Sequence, residues 1–213
     1  MVTLAVERDA GFAQTRHMVE RGALVAVGHS AADLATTQEA IAAGVRGVTH
    51  LFNGLPPMLH RAPGPVLAAL EEERVWLELI ADGHHVAPDL VAYVMTTHPD
   101  RAVLVTDAMA AAGADDGLYD LGPMKVRVEE GLARTVATGS IAGSTLVLLD
   151  AVQNVVAWGI ELPQAVLAAT ELPARYLGLA GVGRLEPGAL ADVLVLEDDL
   201  SVAGVIRRGL RLS

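Results

Sequence analysis

Val25-Ala-Val-Gly-His29-Ser-Ala-Ala-Asp33 is a short apolar run that ends on a histidine and passes into a stretch with helical character. The pattern returns three times downstream, at His50 in GVTHLFN, His85 in LIADGHHV and Asp107 in VLVTDAMAAAG. The intervals are 21, 35 and 22 residues. Each is about one strand–helix unit, and the middle one has room for an added loop. Polar residues at the carboxyl ends of successive parallel strands gather in one mouth when those strands form a barrel. Two imidazoles and a carboxylate meeting there make a metal site with a base beside it. The pattern therefore implies metal-dependent hydrolytic chemistry.

Working outward, the alternation predicts five βα units. Strands are expected at Val2–Ala5, Leu24–Val27, Val45–Thr49, Val75–Ile80 and Ala102–Thr106. Helices are expected around Ala10–Arg21, from Ser30 to about Ala43, over Val66–Glu73 and over Pro88–Thr97. Ser30 is read as the cap of the second helix, with Asp33 as its capping-box partner. Beyond Asp107 the rhythm changes. Met124–Val128 and Leu132–Val136 read as a hairpin around Glu130-Gly131. Helices follow over Ser144–Trp158, Pro163–Thr170 and Pro173–Leu177, then a glycine-dense linker and a β-like tail at Ala191–Leu196 and Val202–Ile206. The expected domains are residues 1–183 and 184–213. A complete eight-unit barrel takes about 250 residues, so five units leave two architectures open: an open doubly wound sheet, or the later part of a barrel.

Composition narrows the partners. A net charge of −11 argues against nucleic acid, whose phosphates call for a basic surface. The 52% hydrophobic content, with only 3% aromatic, suits strands buried on both faces. No charge-free apolar stretch reaches membrane-spanning length, since Leu146–Ile160 is cut by Asp150, Gln153 and Asn154. The absence of cysteine fits a reducing, cytoplasmic setting, and MVTLAVERDAGF lacks the order of a signal peptide.

LAVE, GHSAA, THLFNGLPP, ADGHHV, LVTDAMAAAG, GSIAGSTL and LEPGALADVLVL, in this order and spacing, resemble the N-acetylglucosamine-6-phosphate deacetylases of the amidohydrolase superfamily. The resemblance covers essentially the whole chain. It implies an α/β fold, a (β/α)8 TIM barrel of which this chain holds the last five βα units, plus the C-terminal strands of a small β domain. It also implies that the family's front end lies outside these residues, including a Glu-Gly-Pro glutamate that ligates the metal. Glu7 is not that glutamate: it sits in the family's next strand, usually Leu-Ala-Pro-Glu, where Val6 here replaces the proline.

By that resemblance His29 and His50 are metal ligands for zinc or ferrous iron, and Asp107 is the catalytic aspartate. Asn53 and Gly54, usually Asn-Ala, contact the substrate. Arg61 and His85 bind its phosphate, a role thought to be served across the dimer of the full-length family. Ile141, Ala142 and Gly143 form a return loop on the sugar. The implied reaction removes the N-acetyl group of N-acetylglucosamine 6-phosphate, with a small-molecule amino-sugar phosphate as partner. The alternative is a catalytically impaired truncated remnant that at most binds a sugar phosphate. Chemically the set is coherent. Neutral imidazole suits zinc and iron, a carboxylate serves as base and then acid, and an arginine fork matches phosphate. Gly139–Ser144 is read as presenting backbone N–H groups at a helix start, a place suited to anions or sugar hydroxyls. His17, His60, His84 and His98 are given no role.

Overall fold

The computed structural model describes residues 1–212. Five short strands, β1 (Val2–Leu4), β2 (Val25–Val27), β3 (Gly47–Val48), β4 (Trp76–Ile80) and β5 (Ala102–Val105), form one parallel sheet in chain order. Val2 pairs with Val25, Ala26 with Gly47, Val48 with Leu77, and Ile80 with Val105. Among the described residues β1 and β5 are the outer strands.

The helices α1 (Ala13–Glu20), α2 (Leu34–Ala42), α3 (Gly64–Glu71) and α4 (Pro88–Thr97) alternate with these strands, as βα units require. Valine, leucine and alanine from sheet and helices are buried together, with Val25, Val27, Val48, Leu77, Leu79 and Ile80 fully inaccessible. Such all-buried strands are what the non-alternating apolar runs of the sequence call for.

The remaining elements lie outside this sheet. A separate antiparallel sheet contains β6 (Gly117–Leu121), β7 (Met124–Glu129) and β8 (Leu132–Thr135). Three helices follow, α5 (Leu148–Ala157), α6 (Leu162–Ala169) and α7 (Glu171–Tyr176), and then a third, antiparallel sheet of β9 (Val193–Leu196), β10 (Val202–Arg207) and β11 (Leu210–Arg211). No helix among the described residues is long and apolar enough to cross a membrane.

Three details depart from the sequence reading. The cap of α2 is Asp33, whose carboxylate accepts the Thr36 N–H at 2.8 Å, so Ser30 is free for a different task. Helix α5 begins at Leu148, not at Ser144, because Ser144 is held instead in an isolated parallel bridge to Ala108. Strand β6 went unread because GLYDL carries a glycine and an aspartate, both poor strand formers; its pairing with β7, from Gly117–Val128 to Leu121–Met124, supplies the order instead.

Candidate metal centre

Each of the three chemically central residues sits just past a strand of the parallel sheet and in the left-handed region of backbone space: His29 at φ 49°, His50 at φ 36° and Asp107 at φ 49°. That conformation costs an L-residue about 1–2 kcal/mol, and it collects at functional sites. It turns the chain out of the strand while presenting the side chain at the sheet's carboxyl edge.

The turn brings two of them into contact. His29 Nε2 and His50 Nε2 are 2.9 Å apart, with the rings edge to face at 88°. Two nitrogens bound at about 2.0–2.1 Å to one tetrahedral zinc stand roughly 3.3 Å apart, so the pair fits as two ligands of one ion with little adjustment. His50 is 5% exposed, and its Nδ1 is the one buried side-chain nitrogen or oxygen without a partner among the described residues. Burial lowers the His50 pKa, the nearby Asp107 charge opposes that shift, and His29 adds to it. The ring is thereby kept neutral with a lone pair to give. Among the described residues no group of three or more His, Cys, Asp or Glu could hold a metal; the histidines fit as part of a ligand set.

Other predicted residues gather here. Asn53 donates its backbone N–H to the His50 carbonyl at 2.9 Å, and its side-chain amide to the Leu51 carbonyl at 3.2 Å. Gly54, at φ 59°, lies so close to the His29 ring that a Cβ there would stand 3.0 Å from Nδ1. On the Asp107 side, Ser144 N–H donates to the Asp107 carbonyl at 2.8 Å, and a Cβ on Gly143 would stand 3.2 Å from the same oxygen. Ile141 bridges to Arg134, while Ala142 N–H donates to the Ala133 carbonyl at 3.2 Å. The amides of Ala142 and Ser144 are thus engaged in holding the loop, and the next helix begins only at Leu148, which corrects the reading of this segment as amides presented at a helix start.

His85 and Arg61 make no hydrogen bond to this pair among the described residues. His85 lies five residues past β4, where Asp82 accepts its Nδ1 at 2.6 Å and the amides of His84 and His85 at 2.8 Å each. Burial alone would raise the Asp82 carboxyl, but these hydrogen bonds outweigh it and hold it below the usual range. Arg61 is exposed in the two-residue turn closed by Leu59 and Ala62.

Sequence reasoning passed over several supporting groups. Asp82 was legible as a carboxylate three residues before a histidine. Glu78 was legible as a lone charge inside VWLELI. Tyr176, which donates to Glu78 Oε1 at 3.1 Å from α7, carried no local signal.

Taken together, the ordered parallel strands and the polar groups gathered at their carboxyl edge define part of a β/α barrel. The chain belongs to the amidohydrolase family, whose model matches residues 8–212. It is 42% identical over 211 residues to the N-acetylgalactosamine-6-phosphate deacetylase of Escherichia coli O157:H7, covering 98% of this chain and 56% of that protein. It is 38% identical over 203 residues to the N-acetylglucosamine-6-phosphate deacetylase of Vibrio furnissii, covering 94% and 51%. The structure superposes on that of a mutant N-acetyl-D-glucosamine-6-phosphate deacetylase from Mycobacterium smegmatis, in complex with N-acetyl-D-glucosamine 6-phosphate, with a TM-score of 0.95 and 44% identity over 99% of this chain and 57% of that one. The chain spans about half the length of these proteins.

Proposed function

We propose that this chain supplies the two-imidazole and aspartate side of a site that hydrolyses the acetamide of N-acetylglucosamine 6-phosphate to glucosamine 6-phosphate and acetate, a step of amino-sugar catabolism. The observation that carries the reading is the His29–His50 pair at 2.9 Å, each residue set in a left-handed turn at the end of adjacent parallel strands. Similarity to proteins named as deacetylases of both the gluco and the galacto sugar keeps the galacto isomer as the nearest competing substrate.

His29 and His50 would hold a divalent metal, zinc or ferrous iron. Such an ion supplies Lewis acidity toward the amide carbonyl. Asp107 takes the proton of the attacking water and returns it to the amine nitrogen as the C–N bond breaks, one carboxylate acting as base and then acid. Asn53, Gly54 and the Ile141–Gly143 loop border the sugar. Arg61 and His85 meet its phosphate, His85 with Nδ1 committed to Asp82 and Nε2 left to act. We further propose a homodimer, a cytoplasmic location, and a division into residues 1–183 and 184–213; the division is supported by the separate pairing of β9–β11.

A second reading, that this chain alone binds a sugar phosphate without turning it over, is favoured by the lack of a three-ligand group among the described residues. The test is acetate release from both sugar phosphates, with zinc or ferrous iron, by the chain alone and by a folded chimera. The chimera carries the portion of the Vibrio furnissii relative that this chain does not cover. Release by the chimera that is lost on His50→Ala supports the first reading. Release from neither sugar by the chimera overturns it.

A further inference from the structure

Glu7 belongs to a motif, LAVE, that the proposed chemistry leaves unused. It lies just past β1, the strand next to the one that ends on His29. Its two carboxylate oxygens divide their work. Oε2 accepts the Ser30 hydroxyl at 2.5 Å, and Oε1 accepts the Ala31 N–H at 2.9 Å. Ser30 is 3% exposed, and its oxygen also accepts the Ala32 N–H at 3.2 Å. The chain immediately after His29 is therefore tied to a side chain from the neighbouring unit.

The other side of His29 is fixed as well. The Thr3 and Thr49 hydroxyls, from the strands flanking β2, meet at 2.9 Å. Gly28 passes so close beneath them that a Cβ would stand 2.5 Å from Thr3 Cγ2 and 3.0 Å from Thr49 Cβ. Between these two restraints His29 holds φ 49°, a conformation that a histidine keeps only when its surroundings over-determine it. Burial works to raise the Glu7 carboxyl, but the bonds from Ala31 and Ser30 prevail and hold it below its ordinary range, so the ionised form grips the loop.

We propose that Glu7 is a positioning residue: through Ser30 and Ala31 it locks the left-handed turn at His29, and so sets the imidazole against His50. The role in metal binding rests on the proposed function; the lock on the turn does not. A carboxylate accepting one hydroxyl and one amide is a charge-assisted clamp of the stronger kind, and groups that orient metal ligands from behind are typically worth about 10–100-fold in metal affinity.

The experiment compares Glu7→Ala, Glu7→Gln and Asp9→Ala with the parent chain. Asp9 accepts the Gln14 and Thr15 amides at 3.0 and 2.7 Å, so its loss loosens the same segment without touching the His29 turn. Three quantities are read: thermal midpoint, exchange rate of the Ala31 amide with the His29 ring 15N shifts, and zinc affinity by competition with a chelating dye. Glu7→Ala is expected to speed Ala31 exchange at least about tenfold, move the His29 ring signals and weaken zinc about 10–100-fold. Glu7→Gln, which keeps an acceptor for Ala31, should restore most of each. Asp9→Ala should lower the midpoint while leaving the His29 signals and zinc affinity near parent values.

Unchanged Ala31 exchange and His29 signals in Glu7→Ala overturn the proposal, as does an equal effect from Asp9→Ala. If the parent chain binds no zinc while the exchange and ring results appear as expected, the positioning role stands; absence of zinc from the folded chimera as well overturns the metal reading.

Discussion

The Tyr176 hydroxyl on α7 donates to Glu78 Oε1 on β4 at 3.1 Å, with both residues buried at 6% and 4% exposure. The same hydroxyl sets the identity of Gly47, since a Cβ there would stand 1.9 Å from it. A helix nearly 100 residues downstream of Glu78 thus closes over the strands that carry His50 and the 82–85 turn. The Tyr176 ring also stacks on Trp76, with centroids 5.4 Å apart.

Burial raises the Glu78 carboxyl above its ordinary pKa, with hydrogen bonding from Tyr176 and the His50 amide opposing it and the Asp107 charge adding to it. A raised folded-state pKa gives stability that is present below the unfolded value and lost as pH rises through the folded one. His50, lowered by burial, acts in the opposite sense, losing stability as pH falls below about 6.5. Glu78→Gln removes only the first effect. Its urea midpoint is expected to match the parent near pH 4 and to exceed it at pH 8, by a stability on the order of 1 kcal/mol or more. A gap that shrinks with rising pH would show Glu78 to be a favourable buried charge.

Gly54 is expected to resist alanine for two separable reasons. Its φ of 59° disfavours any Cβ, and that Cβ would press on His29 Nδ1 at 3.0 Å. The backbone conformation alone costs about 1 kcal/mol or slightly more. Gly54→Ala should lower the unfolding free energy by about that amount and shift the His29 ring resonances. A stable variant with unmoved His29 signals would mean that the 54 turn relaxes away from the ring.

The strand-then-polar pattern was enough to find the five parallel strands, because Val- and Leu-rich runs such as Leu77–Ile80 are buried on both faces whatever lies around them; their chain order in the sheet comes from the pairing. It also pointed to His29 and His50, whose left-handed turns end those runs. What it could not reach was the second tier. Glu7 meets Ser30 across 23 positions, Tyr176 meets Glu78 across 98, and Ser144 Oγ donates to the Thr106 carbonyl across 38. Such pairings are set by how neighbouring units pack and leave no local spacing. The reading of Ser30 as a helix cap failed for the same reason: a hydroxyl three residues before an acid is a local motif, and a distant glutamate won it.

Asp107 takes its position from its backbone, through Ser144 and Gly143, and its charge reaches His50 without a direct hydrogen bond between them. A group so placed suits proton transfer more than metal ligation. In a preparation that turns over the sugar phosphate, Asp107→Asn should lower acetate release by about 10²–10⁴-fold, the usual cost of losing a general base, with metal content nearly unchanged. Metal analysis of the purified variant checks this, and loss of the ion along with activity would make Asp107 mainly a ligand.

The chain by itself offers two imidazoles, and no third His, Cys, Asp or Glu completes a metal group with them among the described residues. A catalytic zinc normally takes three protein ligands and keeps one position open. Two ligands bind more weakly and leave the ion free to shift, so the base at Asp107 has no fixed target. The outer strands β1 and β5 also carry backbone groups unpaired by any strand among the described residues, which invites association of the sheet edges. The 213-residue polypeptide is therefore expected to release little or no acetate under zinc saturation, to bind zinc in a manner abolished by His29→Ala or His50→Ala, and to elute from a sizing column above its monomer mass. Turnover at the rate of the folded chimera would show instead that the two imidazoles and Asp107 suffice, with solvent filling the place of any further ligand.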